Sequence, residues 1–272
     1  FKTTSCLCPG LTINLNYNGE KIQYQSVRGL HDLVDAAVKD KELINNRFIV
    51  HWQENKYKFD LVMTYTSNYN LTIVPYVNTG LTESGPHITQ IKTVITREFN
   101  KFFKEKKWIK DKEENLTGDD LQEGMYIVFN ITAPNVAYDA QVKSTVTKIE
   151  MSPFTQALAD NLQYWFKNNE KEIKIIADKA LAARKAREAA KKARDNAREK
   201  SKKKEKVLKF LSLKYEINDI LIVGGVISNS IIKEILKSKL TQNLYFAPPE
   251  LSCDNALGIA QLTKLFYIKN NS

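Results

Sequence analysis

Hydrophobic and polar positions change rhythm several times along this chain. Between residues 11 and 78, short β-type runs alternate with turn signals. The run "LTINLNYNGEKIQYQ" reads as two strands around Asn18-Gly19, a dipeptide that tolerates the positive φ of a tight hairpin turn. "VRGLHDLVDAAVKD" then has helical spacing. "RFIVHWQE", "KYKFDLVMTYT" and "LTIVPYVN" follow as strands rich in β-branched and aromatic residues, a meander whose simplest product is an antiparallel sheet with one buried face. In "HITQIKTVITREFNKFFKEKKWI", Ile88, Ile91, Val94, Ile95, Phe99 and Phe102 recur at steps of three and four, which predicts an amphipathic helix packed on that sheet. "LTGDD" supplies a helix or turn start, with Thr117 as N-cap and Asp119 and Asp120 near the positive end of the dipole. "GMYIVFNITAP" is one more strong strand, and the order of elements predicts an α+β layered domain.

From Pro153 the pattern is helical, first in "FTQALADNLQYWFKN" and then in a long segment from about Glu170 to Lys204. Ile173, Ile176, Ala177, Ala180, Ala183, Ala186, Ala190, Ala193 and Ala197 fall on one stripe of that second helix. Bulky residues stop near Leu181. Beyond it the helix is favoured by alanine propensity but has little to bury. After Lys206, "VLKFLSLKYEINDILIVGGVISNSIIKEILKSKL" reads as helix, buried strand, Gly-Gly turn and helix, a βα unit of parallel type. "NLYFAPPELSCDNALGIAQLTKLFYI" then reads as strand, Pro-rich loop and terminal helix.

With 272 residues, 43% hydrophobic and 26% charged, the chain has the makeup of a globular protein of one or two domains. The net charge of +10 points to an anionic partner, nucleic acid first, although charge sets attraction and not specificity. Much of the excess lies in "KALAARKAREAAKKARDNAREKSKKKEK", Lys179 to Lys206, which could serve as a nucleic-acid arm, a coiled coil or a connector. Cys6, Cys8 and Cys253 are odd in number, and Cys6-x-Cys8 has no neighbouring Cys or His pair to complete a zinc site, so they read as reduced cytosolic thiols. No signal peptide opens the chain, and the apolar run Ile220 to Ile227 is far too short to span a bilayer. Phe rather than Met at position 1 points to a fragment without its natural start.

One stretch, Tyr76 to Val146, carries a family resemblance. It contains a "VN" strand end, the loop "SGPH", a helix starting at its His, "LTGDDLQEGM" and "AQVK". In order and wording it resembles the transducer domain of type IIA DNA topoisomerases, the second domain of the ATPase subunit of DNA gyrase and topoisomerase IV. The likeness extends over roughly Phe1 to Lys204. Ser84 and Pro86 stand where the family has Gly and Thr, and Val142 stands where it has Thr. The resemblance implies that Gln141 and Lys143 reach into the nucleotide pocket of a preceding GHKL ATPase domain, with Lys143 on the γ-phosphate. A lysine is a point charge with rotatable donors, suited to sensing that phosphate. His87, as a lone histidine, reads as a structural residue or helix start. The GHKL residues that bind magnesium and activate water would lie before Phe1, and no Walker motif occurs, so this chain alone is not expected to hydrolyse ATP or bind a cofactor.

A second resemblance covers the tail. "ILIVGGVISNSIIKEIL" with "FAPPELSCDNALGIAQL" is similar to the C-terminal end of the tRNA threonylcarbamoyladenosine-forming transferases, which have an actin-like ATPase fold. It implies that Gly224 and Gly225 cradle a nucleotide, with Asn229 following, and that Asp254 matches a metal-holding carboxylate. The family's paired histidines have no counterpart among His31, His51 and His87, so Asp254 reads as an orphaned ligand position or a helix cap.

Together these readings predict an α+β transducer domain of the ribosomal protein S5 domain 2-like type over 1–168, a long basic exit helix over 169–206, and a partial α/β tail over 207–272. The leading expectation is a non-catalytic part of an ATP-dependent, cytoplasmic type II topoisomerase, an isomerase. It would work with ATP and Mg held by the GHKL domain, with the DNA-cleaving subunit, and as a possible homodimer. Arg184, Lys185, Arg187, Lys191, Lys192, Arg194 and Arg198 would face double-stranded DNA, neutralising phosphates without reading sequence. The alternatives are a tRNA-modifying transferase fragment, a chimeric open reading frame without its own activity, and a plain basic nucleic-acid-binding protein. No membrane partner is expected.

Overall fold

The computed structural model describes residues 1–110, 112–215, 218–222 and 230–246. The chain divides into two compact units, Phe1–Ala186 and Arg187–Ser272.

The first unit opens with a short helix α1 (Lys2–Leu7), which the sequence pattern does not announce, and a separate hairpin of β1 (Thr12–Tyr17) and β2 (Glu20–Gln25). The hairpin register closes at Tyr17↔Glu20, and Asn18 and Gly19 both take positive φ, 53° and 86°, as its two-residue turn requires. Helix α2 (Leu30–Val38) follows, then β3 (Phe48–Glu54), β4 (Tyr57–Tyr65), β5 (Thr72–Val77) and the two-residue β6 (Gly80–Leu81). Helices α3 (Pro86–Glu105) and α4 (Gly118–Gln122) lead to β7 (Met125–Thr132). After the small pair β8 (Ala137–Tyr138) and β9 (Val146–Lys148) come α5 (Ser152–Asn168) and α6 (Glu170–Tyr215), whose residues span the boundary between the units.

The main sheet has five strands in the order β3-β4-β7-β5-β6. It is therefore not the antiparallel meander that three successive strands suggested. β7 enters between β4 and β5, antiparallel to the first and parallel to the second. Two physical facts decide this. All but the last residue of β7 are buried, as befits a central strand covered on both faces. A parallel β5–β7 pair also needs a long crossover, which α3 and α4 provide.

Alternation along β4 and β7 separates two cores. Leu61, Met63, Ile127, Phe129 and Ile131 point to the side covered by α3, α5 and the start of α6. Val62, Tyr126 and Val128 point to α1 and α2, against Leu7, Leu30, Val34 and Val38. Aromatic edges organise the larger core: Phe154 of α5 meets Trp52, Tyr57 and Phe59, and Phe99 of α3 meets Tyr65, Phe103 and Phe166. In α6, Ile173, Ile176, Ala177 and Ala180 are buried in this core, and Leu181 packs at its edge. Ala186, Ala190 and Ala193 are exposed.

In the second unit, β10 (Asp219–Ile222) pairs in parallel with β11 (Asn243–Phe246), and α7 (Ser230–Lys239) lies between them in sequence. Ile222, Ile232, Leu236 and Leu240 form a small core that also buries Ala197 of α6. The parallel pairing of the expected βα unit is thus present, but β10 is buried only at Ile222, and the Gly-Gly turn lies outside the described residues.

Candidate functional site

Gln141 and Lys143 sit on an exposed turn between β8 and β9. The Lys143 amide donates to the Ala140 carbonyl at 3.0 Å, and Lys143 takes φ of 60°, a left-handed conformation uncommon for a residue with a side chain. Its ammonium lies 5.7 Å from the centre of the Tyr138 ring. Val142 between them is 83% exposed, so an apolar side chain caps the tip. The turn thus presents a cation and an amide to the outside.

Both ends of the excursion from Ala133 to Ser144 are fixed by one short segment, residues 78–84. At the start, the Asn78 side chain donates to the Ala133 carbonyl (3.1 Å) and accepts from the Ala133 amide (3.0 Å). At the end, the Glu83 amide donates to the Ser144 carbonyl (2.7 Å) and the Val146 amide donates to the Ser84 carbonyl (3.0 Å). Ser84 Oγ adds a 3.0 Å bond to Thr145 Oγ1. These pairings join residues 55 or more positions apart, which no local spacing reveals.

Gly85 follows this segment with φ of 143° and acts as N-cap of α3. A Cβ there would come within 2.6 Å of the Val146 carbonyl and 2.8 Å of His87 Nδ1, so only glycine fits. Pro86 takes the first helical turn, where its missing amide is harmless. His87 is completely buried, with Nε2 2.8 Å from Thr82 Oγ1, and burial pushes its pKa down to about 4.

On α6, Lys185, Arg187, Lys191, Lys192, Arg194 and Arg198 are exposed. Arg187, Lys191, Arg194 and Arg198 recur at steps of four and three and so share a face. Arg184 differs from them. Its side chain is 13% exposed and is drawn to the chain before α4, pairing with the Glu113 carboxylate at 3.0 Å and donating to the Glu114 carbonyl at 3.2 Å. That ion pair holds the Glu113 carboxyl below its ordinary range.

Gly224, Gly225, Asn229, Asp254 and Cys253 lie outside the described residues. Cys6 and Cys8 are free thiols. Among the described residues no three His, Cys, Asp or Glu side chains converge as metal ligands, and no helix is long and apolar enough to cross a membrane.

A sequence model of the DNA gyrase B family matches residues 29–196, well over half of the chain. The chain belongs to the DNA gyrase B family. Among curated relatives, it is 30% identical over 176 residues to the DNA gyrase B protein of Mycobacterium tuberculosis, covering 64% of this chain and 26% of that one. It is 33% identical over 147 residues to the gyrase B protein of Mycolicibacterium smegmatis, covering 53% and 22%. The chain spans about a quarter of the length of the curated gyrase B relatives it matches. Its fold is similar to the 43K ATPase domain of Thermus thermophilus gyrase B, solved in complex with an aminocoumarin. That match has a TM-score of 0.61 and 25% identity, over 71% of this chain and 54% of that one. The topoisomerase IV ATP-binding domain of Francisella tularensis shares the fold with a TM-score of 0.58 at 21% identity, over 68% and 51%. The gyrase B match ends at residue 196, so the transferase resemblance of 207–272 rests on the sequence alone.

Proposed function

We propose that this gyrase B-family chain is the transducer segment of a type II topoisomerase. In this reading it relays ATP binding in a GHKL ATPase domain to the passage of a DNA duplex. Residues 1–168 form the S5 domain 2-like transducer, 169–206 the exit helix, and 207–272 a partial α/β tail. Gln141 and Lys143 contact ATP, with Lys143 on the γ-phosphate. Mg accompanies the ATP in the ATPase domain, and DNA and the cleaving subunit are the further partners of the cytoplasmic enzyme. The exposed cations of α6 neutralise DNA phosphates without reading bases.

The observation that carries the reading is the form of the Gln141–Lys143 turn: an exposed cation in a left-handed conformation, on a loop whose two ends are hydrogen-bonded to a single segment of the body. Such a turn can meet a phosphate on another domain while staying coupled to the sheet and to α3. A lone cation of this kind is suited to an anion and not to a metal. The experiment adds the chain to a separately prepared gyrase B-type GHKL ATPase domain. Wild-type chain stimulates ATP hydrolysis and Lys143→Ala does not; stimulation that survives the substitution rejects the role of Lys143.

A further inference from the structure

Three backbone hydrogen bonds and one hydroxyl pair fix Lys143's neighbours Ser144, Thr145 and Val146 to Glu83 and Ser84. The orientation of Lys143 therefore depends on where the Ser84–Gly85 turn stands. That turn is in contact with a buried group that the proposed function leaves unused, the imidazole of His87.

The protons of this cluster can be counted. Thr82 Oγ1 lies 3.2 Å from the Pro75 carbonyl and 2.8 Å from His87 Nε2, and it has one hydrogen to donate. If that hydrogen goes to Pro75, Nε2 carries a proton and donates it to Thr82, and Nδ1 is a bare lone pair. If it goes to Nε2, the imidazole proton must sit on Nδ1. Nδ1 has no hydrogen-bond partner and is 2.8 Å from the position of a Cβ on Gly85. A buried N–H without an acceptor is costly, and there is no room for its hydrogen against Gly85, whereas a lone pair tolerates a Cα–H. The geometry selects the neutral Nε2–H form. Burial depresses its pKa, so the ring stays neutral at neutral pH.

We propose that His87 is a positioning residue for Lys143: through Thr82 and Pro75 it fixes the Ser84–Gly85 turn on which the Lys143 loop is hung. The inference rests on the reading of Lys143 as the phosphate-sensing residue. Hydrogen bonds run from the β5 carbonyl of Pro75 to Thr82 and His87, and Gly85 stands so close to His87 and Val146 that a Cβ would clash with both. Replacing the ring by an apolar one of similar size keeps the volume but removes the Nε2–H donor from Thr82 Oγ1, leaving Thr82 held only by its bonds to the Pro75 carbonyl. Glutamine restores a donor near the Nε2 position.

The test uses the full chain and two readouts. Long-range 1H–15N spectra report the His87 tautomer, and hydrogen exchange reports the Glu83 and Val146 amides beside those of Ile127 and Phe129 in β7. The expected result is an Nε2–H imidazole. Exchange at Glu83 and Val146 is accelerated at least tenfold over the β7 amides in His87→Phe and in Thr82→Val, and returns towards wild type in His87→Gln. A proton on Nδ1, or acceleration that is equal at β7, overturns the proposal, because the second outcome is plain loss of stability. Stimulation of a gyrase B-type ATPase domain separates the two readings. If Lys143→Ala leaves stimulation intact, the function assigned to Lys143 falls and the exchange data still judge the clamp. If Lys143→Ala abolishes it while Thr82→Val loosens the turn yet stimulates normally, the positioning role of His87 falls.

Discussion

The ammonium of Lys179 donates a 2.6 Å hydrogen bond to the carbonyl of Thr66. A second, also 2.6 Å, reaches the Asn68 carbonyl, so α6 is fastened to the turn that leaves β4. Gly124, with φ of 78°, leaves the space the ammonium needs. Lys179→Met keeps the length of the side chain and loses both bonds, and should lower stability by roughly 1.5–3 kcal/mol. Urea unfolding should show a lower midpoint at unchanged slope. Gly124→Ala should be worse, because its Cβ would stand 2.6 Å from the Thr66 carbonyl.

Arg184 and Lys191 should behave as different kinds of cation. Binding of the chain to duplex DNA should weaken linearly with the logarithm of salt concentration, and Lys191→Gln should reduce that slope by about 0.9 if the residue meets a phosphate. Arg184→Gln should leave the slope alone and lower the thermal midpoint, since it breaks the contact with Glu113. A wild-type slope near zero would remove the DNA-facing assignment of α6.

Stability should fall between pH 7 and pH 5, with His87 as one identifiable cause. Its folded-state pKa is about 4, below the ordinary 6.5, so the unfolded chain takes up a proton that the folded chain refuses. The penalty begins as pH drops through the unfolded value and is complete near the folded one. It amounts to about 2 kcal/mol at pH 5 by the usual conversion of pKa shift to free energy. His87→Gln should flatten the curve over this window, as measured by chemical denaturation at both pH values.

Thr117 caps α4 by accepting from the Asp120 amide at 3.3 Å, while the Asp120 carboxylate takes the Thr117 amide at 2.9 Å. Thr117→Ala should cost about 1 kcal/mol, and Thr117→Ser should recover most of it. Equal stability of the two variants would show that the hydroxyl is dispensable.

What could be read in the sequence was local. The Asn18-Gly19 hairpin, the α3 stripe from Ile88 to Phe102 and the cap at Thr117 are each written in a few neighbouring residues, because turn chemistry and helical periodicity are set by near neighbours. Strand order was not. Nothing in "LTIVPYVN" says that β7 will displace β4 from its side, although the unbroken apolar run of "MYIVF" was a sign of a central strand. Arg184 looked like its neighbours for the same reason, since its partner Glu113 is 71 positions away. The candidate loop showed its polar residues in "AQVK", while Asn78, Thr82 and Ser84, which hold or border it, are ordinary residues until the fold brings them together.

The anchoring of Ala133 and Ser144 to one short stretch of backbone has a consequence for how the chain can change. The residues between them form a closed detour whose two ends meet the body side by side, so lengthening the detour adds little closure entropy. Residues inserted near Val142 would alter how far the tip extends without disturbing the register of β7 or the start of α3. Reach is thus separable from folding here, and can vary by small additions at a point where the sheet does not register them.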